Sequence, residues 1–415
     1  MGIMDIFKKP YKDKPSNAAL AVLNGNIPIY TQFGQSIYAS DVVQQAIACV
    51  AQEISKLDPR HIRVGKSGMQ EVVRDEINEL FEYGANDWMT TKDFLEKITW
   101  QLYLNYNAFI LPVFDELTTK DNGTKRLYRA LYPLDPSEVT FIQDGNADLW
   151  VKFVFADANE LTVRYTDIIH WRYRYSVNPF MGGNASGQAD TAALWQTVNI
   201  NHQLLQSIEK SVSSSMQIHG LLKVQTLYND ESAKAEIARF EKLISEGKSA
   251  ILPVDLKSEY VQMKPDPKLV DTDTLEFIDS KILRNYGVPL PILTGDFTDT
   301  QYQAFYEKTL EPLINSLNQV FSKTLFTKTE RRHGNKIVFY INNLLHMSPE
   351  KKVEMSKVLG DRGALTNNAL LELFGYPPYE GGDIRLQSLN YVDVNIATKY
   401  QMNQSGKKKE VNNDE

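Results

Sequence analysis

The chain has 415 residues, of which 42% are hydrophobic and 11% are aromatic, and its formal net charge is −7. This length and this apolar content are sufficient for two or three compact units with buried cores. The single cysteine, Cys49, excludes an intrachain disulfide framework and indicates a reducing compartment, and the acidic balance argues against a simple nucleic-acid binder.

In chain order, residues 1–35 are predicted to be a loose arm, because lysines are interleaved with prolines there. Helical apolar periodicity begins at Asp41, after Ser40 as the predicted N-cap, and continues to about residue 57. Cys49 lies among the apolar positions of this helix. We therefore expect it to be a small buried core residue rather than a nucleophile.

A second predicted helix begins near Thr90 or Thr91. Between Asn107 and Arg174 the pattern changes to short runs that are rich in β-branched and aromatic residues. Turn signals such as Asp144-Gly145-Asn146 separate these runs. The sequence therefore predicts the α+β fold class, with a mainly antiparallel sheet in the N-terminal half.

A long helix is predicted over residues 190–216, after a Gly- and Asn-rich break at 179–187. Most positions outside its apolar face are polar but uncharged, which suits a crowded helix–helix interface or a wall beside a polyanion. We expect the apolar face to be buried in a stem or between subunits. The residues predicted for this contact are Leu205, Ile208 and Val212.

Residues 217–268 form a predicted insert that contains a strand at 218–224, a helix at 229–247 and strands at 249–254 and 258–263. An insert between two long helices should project as a knob at their far end. The exposed side of its helix carries both charge signs. The charged residues that we select there as a docking surface are Glu231, Lys234, Glu236, Arg239, Glu241 and Lys242.

The next predicted helix starts at Asp273, whose spacing to Glu276 is that of a capping box, and ends at Gly287. Pro289 and Pro291 then prevent helix continuation, and the next helix cannot start before about Thr300. The connecting loop, 289–301, is therefore displaced from both helix axes. Its candidate functional residues are Thr294, Asp296, Thr298, Asp299 and Gln301.

The remaining predicted elements are a helix that carries Phe305 to Leu325, a strand at 336–341 that returns to the first domain, and two C-terminal helices. The first of these two starts at Ser348-Pro349 and the second follows Thr366 and ends at Gly375. From about residue 405 the chain is a charged tail, which we predict to be disordered.

The sequence offers no convincing catalytic or metal site. Gly247-Lys248-Ser249 lacks the first glycine and the strand-to-helix context of a phosphate loop, and the six histidines have no metal-site spacing. No signal peptide or membrane span is evident. We therefore predict a soluble intracellular protein that is not an enzyme and has no cofactor or metal.

Eight short passages of the chain are informative when they are taken together. In chain order, they are Ala85-Asn86-Asp87-Trp88-Met89-Thr90, Asn105-Tyr106-Asn107-Ala108-Phe109, Leu131-Tyr132-Pro133-Leu134-Asp135-Pro136, Asp167-Ile168-Ile169-His170-Trp171, Gly287-Val288-Pro289-Leu290-Pro291-Ile292-Leu293-Thr294-Gly295, Leu310-Glu311-Pro312, Gly363-Ala364-Leu365-Thr366-Asn367-Asn368 and Glu380-Gly381-Gly382-Asp383. These passages and their order resemble the sequence motifs of the HK97-type portal proteins of tailed bacteriophages. Two departures are evident: Tyr106 stands where the family usually has Gly, and 369–371 replace a usual Glu-Xaa-Arg.

This resemblance implies a portal-like fold with named regions. The regions are an N-terminal arm and wing (1–187), a first stem helix (188–216), a small α/β clip (217–268), a second stem helix (269–288), a tunnel loop with a long wing helix and a returning strand (289–345), a mostly helical crown (346–395) and a tail (396–415). The clip is the implied docking site, and the tunnel loop is implied to face DNA.

The function that the resemblance implies is a ring of about twelve subunits at one capsid vertex, around a channel for double-stranded DNA. The implied partners are the terminase large subunit, the head–tail adaptor and the major capsid protein or scaffold. The protein would be found in the virion, and in the host cytoplasm during assembly. Two alternatives remain open: a minor capsid or head–tail adaptor protein without a channel, and a nucleic-acid-processing enzyme.

Overall fold

The computed structural model describes the following parts of the chain: residues 21–28, 40–118 except 67, 124–217, 221–224, 238, 258–261, 272–340, 349–373, 377 and 379–387. The helices are α1 (Asp41–Ser55), α2 (Glu76–Tyr83), α3 (Thr91–Asn105), α4 (Ala192–Gln217), α5 (Thr272–Tyr286), α6 (Leu290–Thr294), α7 (Asp299–Phe305), α8 (Glu311–Leu325), α9 (Lys328–Arg332), α10 (Pro349–Asp361) and α11 (Asn367–Leu373). The strands are β1 (Ala21–Pro28), β2 (Asp58–Val64), β3 (Gln70–Val72), β4 (Asn107–Thr118), β5 (Thr124–Leu134), β6 (Glu138–Gln143), β7 (Leu149–Val154), β8 (Glu160–Arg164), β9 (Ile169–Arg172), β10 (Leu221–Val224), β11 (Ser258–Val261), β12 (Asn335–Tyr340), β13 (Arg362–Thr366) and β14 (Arg385–Gln387).

Among the described residues, the larger of two apolar cores is built by helices α1, α3, α5 and α8 against strands β2 and β12. Helix α3 begins as predicted, because Thr90 forms a reciprocal capping box with Asp93. Ser40 occupies the N-cap position of α1, but its side chain makes no capping hydrogen bond. Cys49 packs against the edge of this core but is only half-buried, so it is less buried than predicted.

The smaller core lies between two antiparallel sheets, ordered β5-β4-β9 and β1-β6-β7-β8. Phe109 on β4 and Phe153 on β7 meet edge to face across it, with ring centroids 5.1 Å apart. The predicted turn at Asp144 joins β6 and β7. Every strand pair in these sheets is antiparallel, which confirms the mixed helix-and-sheet class and the predicted strand direction.

Part of the predicted loose arm is a strand. Residues 21–28 pair with β6 from Ala21 opposite Gln143 to Pro28 opposite Glu138. The segment is mostly apolar, and its proline stands on an edge strand, where a missing N–H is tolerated. The prediction of a loose arm is therefore wrong for these eight residues, and 1–20 and 29–35 lie outside the described residues.

One continuous helical rod runs from α7 to α8 through a π-helical turn, Tyr306–Leu310. Pro312 follows directly, and proline has no N–H to donate to the preceding turn. The buried side of α8 contains Leu313, Leu317 and Phe321 and continues through Leu310 to Phe305. Phe305 and Leu310 are five positions apart, which is the spacing of the wider π turn.

The C-terminal elements agree in part with the sequence. Strand β12 returns to pair with β2, as predicted. Helix α10 starts at Pro349, and α11 follows Thr366, whose hydroxyl accepts a hydrogen bond from the Ala369 amide. Ser348, Gly375 and the tail beyond 387 lie outside the described residues.

Candidate functional site

The predicted tunnel loop is more structured than the sequence suggests. Pro289 is the N-cap of the short helix α6, and Pro291 lies in its first turn, where the missing N–H of proline is tolerated. Helix α6 ends at Gly295 with a φ of +81°. The prediction that no helix starts before about Thr300 is therefore wrong, and the next helix, α7, begins at Asp299. Residues 294–300, at the junction of α6 and α7, are all exposed, as are Pro289, Leu290 and Gln301 at the ends of the predicted loop.

The five candidate residues of this loop have different roles. Thr298 is the N-cap of α7, and its hydroxyl and backbone amide form a capping box with Gln301. Asp299 is the first residue of α7, where a carboxylate favours the positive end of the helix. Thr294 bonds back to the carbonyl oxygen of Leu290, 3.2 Å away. Asp296 stands exposed at the turn.

A contact that the sequence does not indicate attaches α7 to α1. The hydroxyl of Tyr302 donates to the Glu53 carboxylate at 2.9 Å, and Lys56 pairs with the other oxygen of that carboxylate. Burial and the adjacent Glu53 charge raise the pKa of Tyr302. The ring of Phe297 lies 5.6 Å from the Tyr302 ring. The exposed turn is thus held at its far side by one polar contact and one ring contact.

A cavity of about 370 Å³ lies beneath the turn, between α1 and α6–α7. Cys49 lines this cavity with Gln45, Gln52 and Leu293. Burial, reinforced by the Glu53 charge, raises the pKa of the Cys49 thiol to about 11. The thiol is therefore protonated at neutral pH and is a poor nucleophile.

The near side of the turn is fixed by a close contact between the backbone of Gly287 and the side chain of Thr309. Gly287 ends α5 with a φ of +73°, and a Cβ there would stand 2.6 Å from the Thr309 hydroxyl. That hydroxyl donates to the Gly287 carbonyl oxygen at 2.8 Å. Val288 and Ile292 are buried next to this contact. The joint between α5 and the π turn therefore requires a glycine.

Arg174, which follows strand β9, is bonded to the C-terminal end of α5 and to Tyr106 at the end of α3. Its guanidinium donates to the backbone carbonyl oxygen of Asn285 at 2.7 Å and to the Tyr106 hydroxyl at 3.0 Å. Arg174 also lies over the Tyr173 ring, 5.3 Å from its centroid. The last carbonyls of a helix lack intrahelical partners, and a cation there is favourable.

The two long helices α4 and α5 pack side by side, and the amide of Asn201 donates to the carboxylate of Asp279 at 2.9 Å. Burial raises the pKa of that carboxyl. Leu194 and Val198 are buried, whereas Leu205 is 49% exposed and Ile208 is half-buried. Leu205 therefore does not reach a core of this subunit, and the side chain of Val212 lies outside the described residues.

Helix α5 also differs from its prediction. It starts at Thr272, so Asp273 belongs to its first turn and is not the N-cap. Phe277 is 61% exposed beside Arg284, whereas Ile278, Ile282 and Leu283 are buried.

The insert between α4 and α5 is described only at its base. Strand β10 pairs with β11 in antiparallel register, with Leu221 opposite Val261, which brings the two ends of the insert together. Both strands lie within their predicted ranges. The predicted helix 229–247, with the six charged docking residues, and the predicted strand 249–254 lie outside the described residues, apart from residue 238.

Three asparagines join pairs of the eight family-like passages. Asn86 donates to the Leu131 carbonyl oxygen at 2.8 Å, and Asn107 lies 3.0 Å from the ring nitrogen of His170. Asn368 donates to the Asp383 carboxylate at 3.0 Å. Passages that are distant in sequence are therefore adjacent in space. These asparagines are structural connectors between elements.

No group of three or more His, Cys, Asp or Glu residues in the described part of the chain is placed to hold a metal ion. Among the described helices, none is long and apolar enough to cross a membrane.

Comparison with solved structures shows what the fold resembles. A chain in the neck of an empty gene transfer agent particle superposes with a TM-score of 0.55 at 16% identity, covering 88% of this chain and 97% of that chain. A chain in the neck of the native particle, computed with C12 symmetry, gives a TM-score of 0.54 at 15% identity, covering 85% and 96%. The chain therefore has the same fold as these two chains.

Sequence comparison gives the family. The family model for "Phage portal protein" matches residues 41–375. A probable portal protein of Lactococcus phage p2 is 22% identical over 373 residues, which cover 86% of each chain, and that of Lactococcus phage SK1 matches equally. The chain belongs to the phage portal protein family. The resemblance inferred from the eight passages is thereby confirmed.

Proposed function

We propose that this protein is a portal subunit, which assembles into a ring of about twelve copies around a channel for double-stranded DNA. The observation that supports this most directly is the turn 294–300. It is exposed, acidic and held between two packed helical elements, by Gly287 and Thr309 on one side and by Glu53 and Tyr302 on the other. A turn held in this way can project into a channel without collapsing.

The charge of this region suits a DNA path. No Lys, Arg or His occurs between Arg284 and Lys308, whereas Asp296 and Asp299 are both exposed on the turn. Basic groups would bind phosphates by releasing counterions, and acidic groups repel them. DNA would therefore slide past this turn without adhering to it.

The oligomer would form through a head-to-tail interface that closes on itself. Helix α4 is a candidate for this interface, because Ile200 and Leu205 are each 49% exposed on an otherwise mostly uncharged helix. The C12 symmetry of the similar neck structure supports the proposed subunit number. We place this ring at the portal vertex of the virion, in contact with the major capsid protein or scaffold. Assembly would take place in the host cytoplasm.

The insert that closes at β10–β11 would form the clip, at the end of the α4–α5 pair. We propose that it binds the terminase large subunit during genome packaging and the head–tail adaptor afterwards. The proposed contact residues are Glu231, Lys234, Glu236, Arg239, Glu241 and Lys242. The portal itself would have no catalytic role in this process.

The test of the channel assignment is the double variant Asp296→Lys and Asp299→Lys. Lysines next to DNA should retard packaging or ejection at low salt, with less retardation at high salt, because salt weakens binding by counterion release. The matched control is Glu79→Lys with Glu82→Lys, which makes the same charge change on the exposed side of α2. Packaging at the normal rate by the first variant would place the turn away from DNA.

Negative-stain microscopy of the purified protein separates a portal from a minor capsid or adaptor protein without a channel. We expect rings with a central hole. Both lysine variants should form the same rings, since all four substituted residues are exposed. Compact particles without a hole would contradict the portal assignment.

A further inference from the structure

A second polar region, remote from the turn 294–300, is a cleft of about 1020 Å³ between the sheets β12-β2-β3 and β5-β4-β9, with α8 and α9 along one side. We call it the basic cleft. Among the described residues that line it, eight are Lys or Arg and five are Asp or Glu, although the whole chain carries a net charge of −7. This excess of positive charge is therefore local to the cleft.

The carboxylates of the cleft are mostly bound to groups of the chain itself. Asp167 accepts from Arg126 at 2.8 Å, and Glu116 lies 3.6 Å from the same guanidinium. Asp75 pairs with the His61 ring at 2.6 Å and caps α2, and the Glu330 carboxylate completes the capping box of α9. Four of the five negative charges are thus engaged within the protein.

Most of the basic groups differ in this respect. Within the described part of the chain, no ion pair involves Arg74, Lys125, Lys323, Lys328 or Arg331. The first four are exposed, and Arg331 is half-buried. These five residues come from three separate stretches of the chain, and all of them line one cleft.

We propose that the basic cleft binds an acidic segment of another polypeptide, in an extended conformation. A single extended chain is narrow enough for a cleft of this volume, and its carboxylates would meet the five unpaired cations. Its backbone N–H groups could donate to the Glu76 carboxylate at the same time. A lining of mixed sign with a basic excess suits such a ligand.

Duplex DNA fits this cleft less well. DNA is a stiff rod that presents its phosphates on a convex surface, and bending it into a cleft is costly. A segment of this chain itself also fits less well. Its 52 Asp and Glu residues are dispersed, and nowhere in the sequence do three of them occur in succession. The charge pattern therefore favours a partner protein with a more acidic run.

The test uses the full-length protein and a short fluorescein-labelled peptide of alternating glutamate and glycine, with binding followed by fluorescence anisotropy. The triple variant Lys125→Glu, Lys323→Glu and Lys328→Glu should bind this peptide at least about tenfold more weakly, because three attractions become repulsions. Affinity for the native protein should also fall as salt is added.

The matched control changes three exposed basic residues that do not line the cleft, by Lys92→Glu, Lys97→Glu and Arg332→Glu. It has the same net charge as the triple variant, so a general charge effect would weaken both equally. We expect the control to bind as the native protein does. Equal loss in both variants, or no peptide binding at low salt, would overturn the proposal.

Two further measurements test whether the basic cleft binds duplex DNA or a second copy of this chain instead. A duplex oligonucleotide that binds more tightly than the peptide, and is released by the triple variant, would make the cleft a DNA site and overturn the proposal. Loss of self-association in the triple variant, with peptide binding unchanged, would assign the cleft to a second copy of this chain. Unchanged circular dichroism and thermal unfolding would show that the variants are folded.

Discussion

Arg174 and Tyr106 are joined by a hydrogen bond of 3.0 Å, and both have left-handed backbone conformations, with φ of +49° and +58°. Tyr106 is the C-cap of α3, a position at which glycine is usual because it has no Cβ to clash. The left-handed conformation costs a non-glycine residue roughly 1–2 kcal/mol. The Tyr106 ring, buried at 3% exposure and bonded to Arg174, offsets that cost. This contact links the chain after β9 to the end of α3, and Arg174 also donates to the Asn285 carbonyl oxygen at the end of α5.

The first prediction concerns this hydrogen bond. Tyr106→Phe keeps the buried ring but removes the acceptor of Arg174, and we expect a loss of about 1–3 kcal/mol in the free energy of unfolding. Urea titration measures it. Tyr83→Phe is the matched control, since Tyr83 is 73% exposed, and should change stability by less than about 0.5 kcal/mol.

A glycine at the same position separates strain from packing. Tyr106→Gly removes the unfavourable φ but also removes a buried aromatic ring, a loss of about 3–5 kcal/mol in typical cores. We therefore expect net destabilisation. A Tyr106→Gly protein more stable than the native one would show that strain outweighs packing there.

The second prediction compares two glycines with similar φ. At Gly287, with a φ of +73°, a Cβ would crowd Thr309, whereas at Gly295, with a φ of +81°, nothing lies within 4 Å. Gly295→Ala should cost about 1 kcal/mol from backbone strain alone, and Gly287→Ala about 2–4 kcal/mol because the side-chain contact adds to the strain. Equal effects in urea unfolding would mean that Thr309 moves aside freely.

The third prediction is a pH dependence. His170 is fully buried, between the Tyr165 hydroxyl at 2.9 Å and the Asn107 side chain at 3.0 Å. Burial, assisted by Arg172, lowers the pKa of His170 well below its ordinary value of 6.5. The unfolded chain therefore binds a proton near pH 6.5 that the folded chain does not bind. Stability is complete above that pH and falls as the pH decreases below it.

Urea unfolding at several pH values between 8 and 5 measures this loss. His170→Gln should be less stable at pH 8, because two buried hydrogen bonds are disturbed, but its stability should change less with pH. His202→Gln, at an exposed position, should retain the native pH dependence. An identical pH slope in the native protein and His170→Gln would assign the acid sensitivity to other groups.

The fourth prediction concerns the C-terminal connector. The Asn368 amide donates to the Asp383 carboxylate and to the Tyr379 carbonyl oxygen, both at 3.0 Å. Asn368→Asp replaces these donors with a negative charge beside another carboxylate, and should cost about 2–4 kcal/mol. Limited proteolysis should then cleave within 349–387 much faster. Asn315→Asp, at an exposed position of α8, is the control and should resist cleavage as the native protein does.

The predictable part of the fold is local. Apolar periodicity located α1, α3 and α8 because burial of one face repeats along a single helix, and the departure at Tyr106 already marked a glycine-like position. Apolar periodicity does not reveal which part of the apolar face of a helix packs against another element. Leu205 and Phe277 match their helical patterns, yet they are 49% and 61% exposed.

The prolines indicated where the candidate loop lies in the sequence. They did not indicate which contacts attach this loop to the rest of the fold. The hydrogen bond from Tyr302 to Glu53 joins residues 249 positions apart, and no local pattern encodes such a pair. Thr298 and Gln301 have the spacing of a capping box, which is a short-range signal, but the prediction of a loop up to about Thr300 did not include it. The strand at 21–28 depended on β6 as its partner, which the arm's own composition does not indicate.

The π turn at Tyr306–Leu310 has a consequence for how relatives of this chain compare with it. A π turn contains one residue more than an α-helical turn, so it behaves as a single-residue insertion that the helix has absorbed. A relative with an uninterrupted α-helix here would place its counterparts of Phe305 and Leu310 four positions apart instead of five. A one-residue gap between these two positions is then the correct alignment, although no loop is present to suggest it.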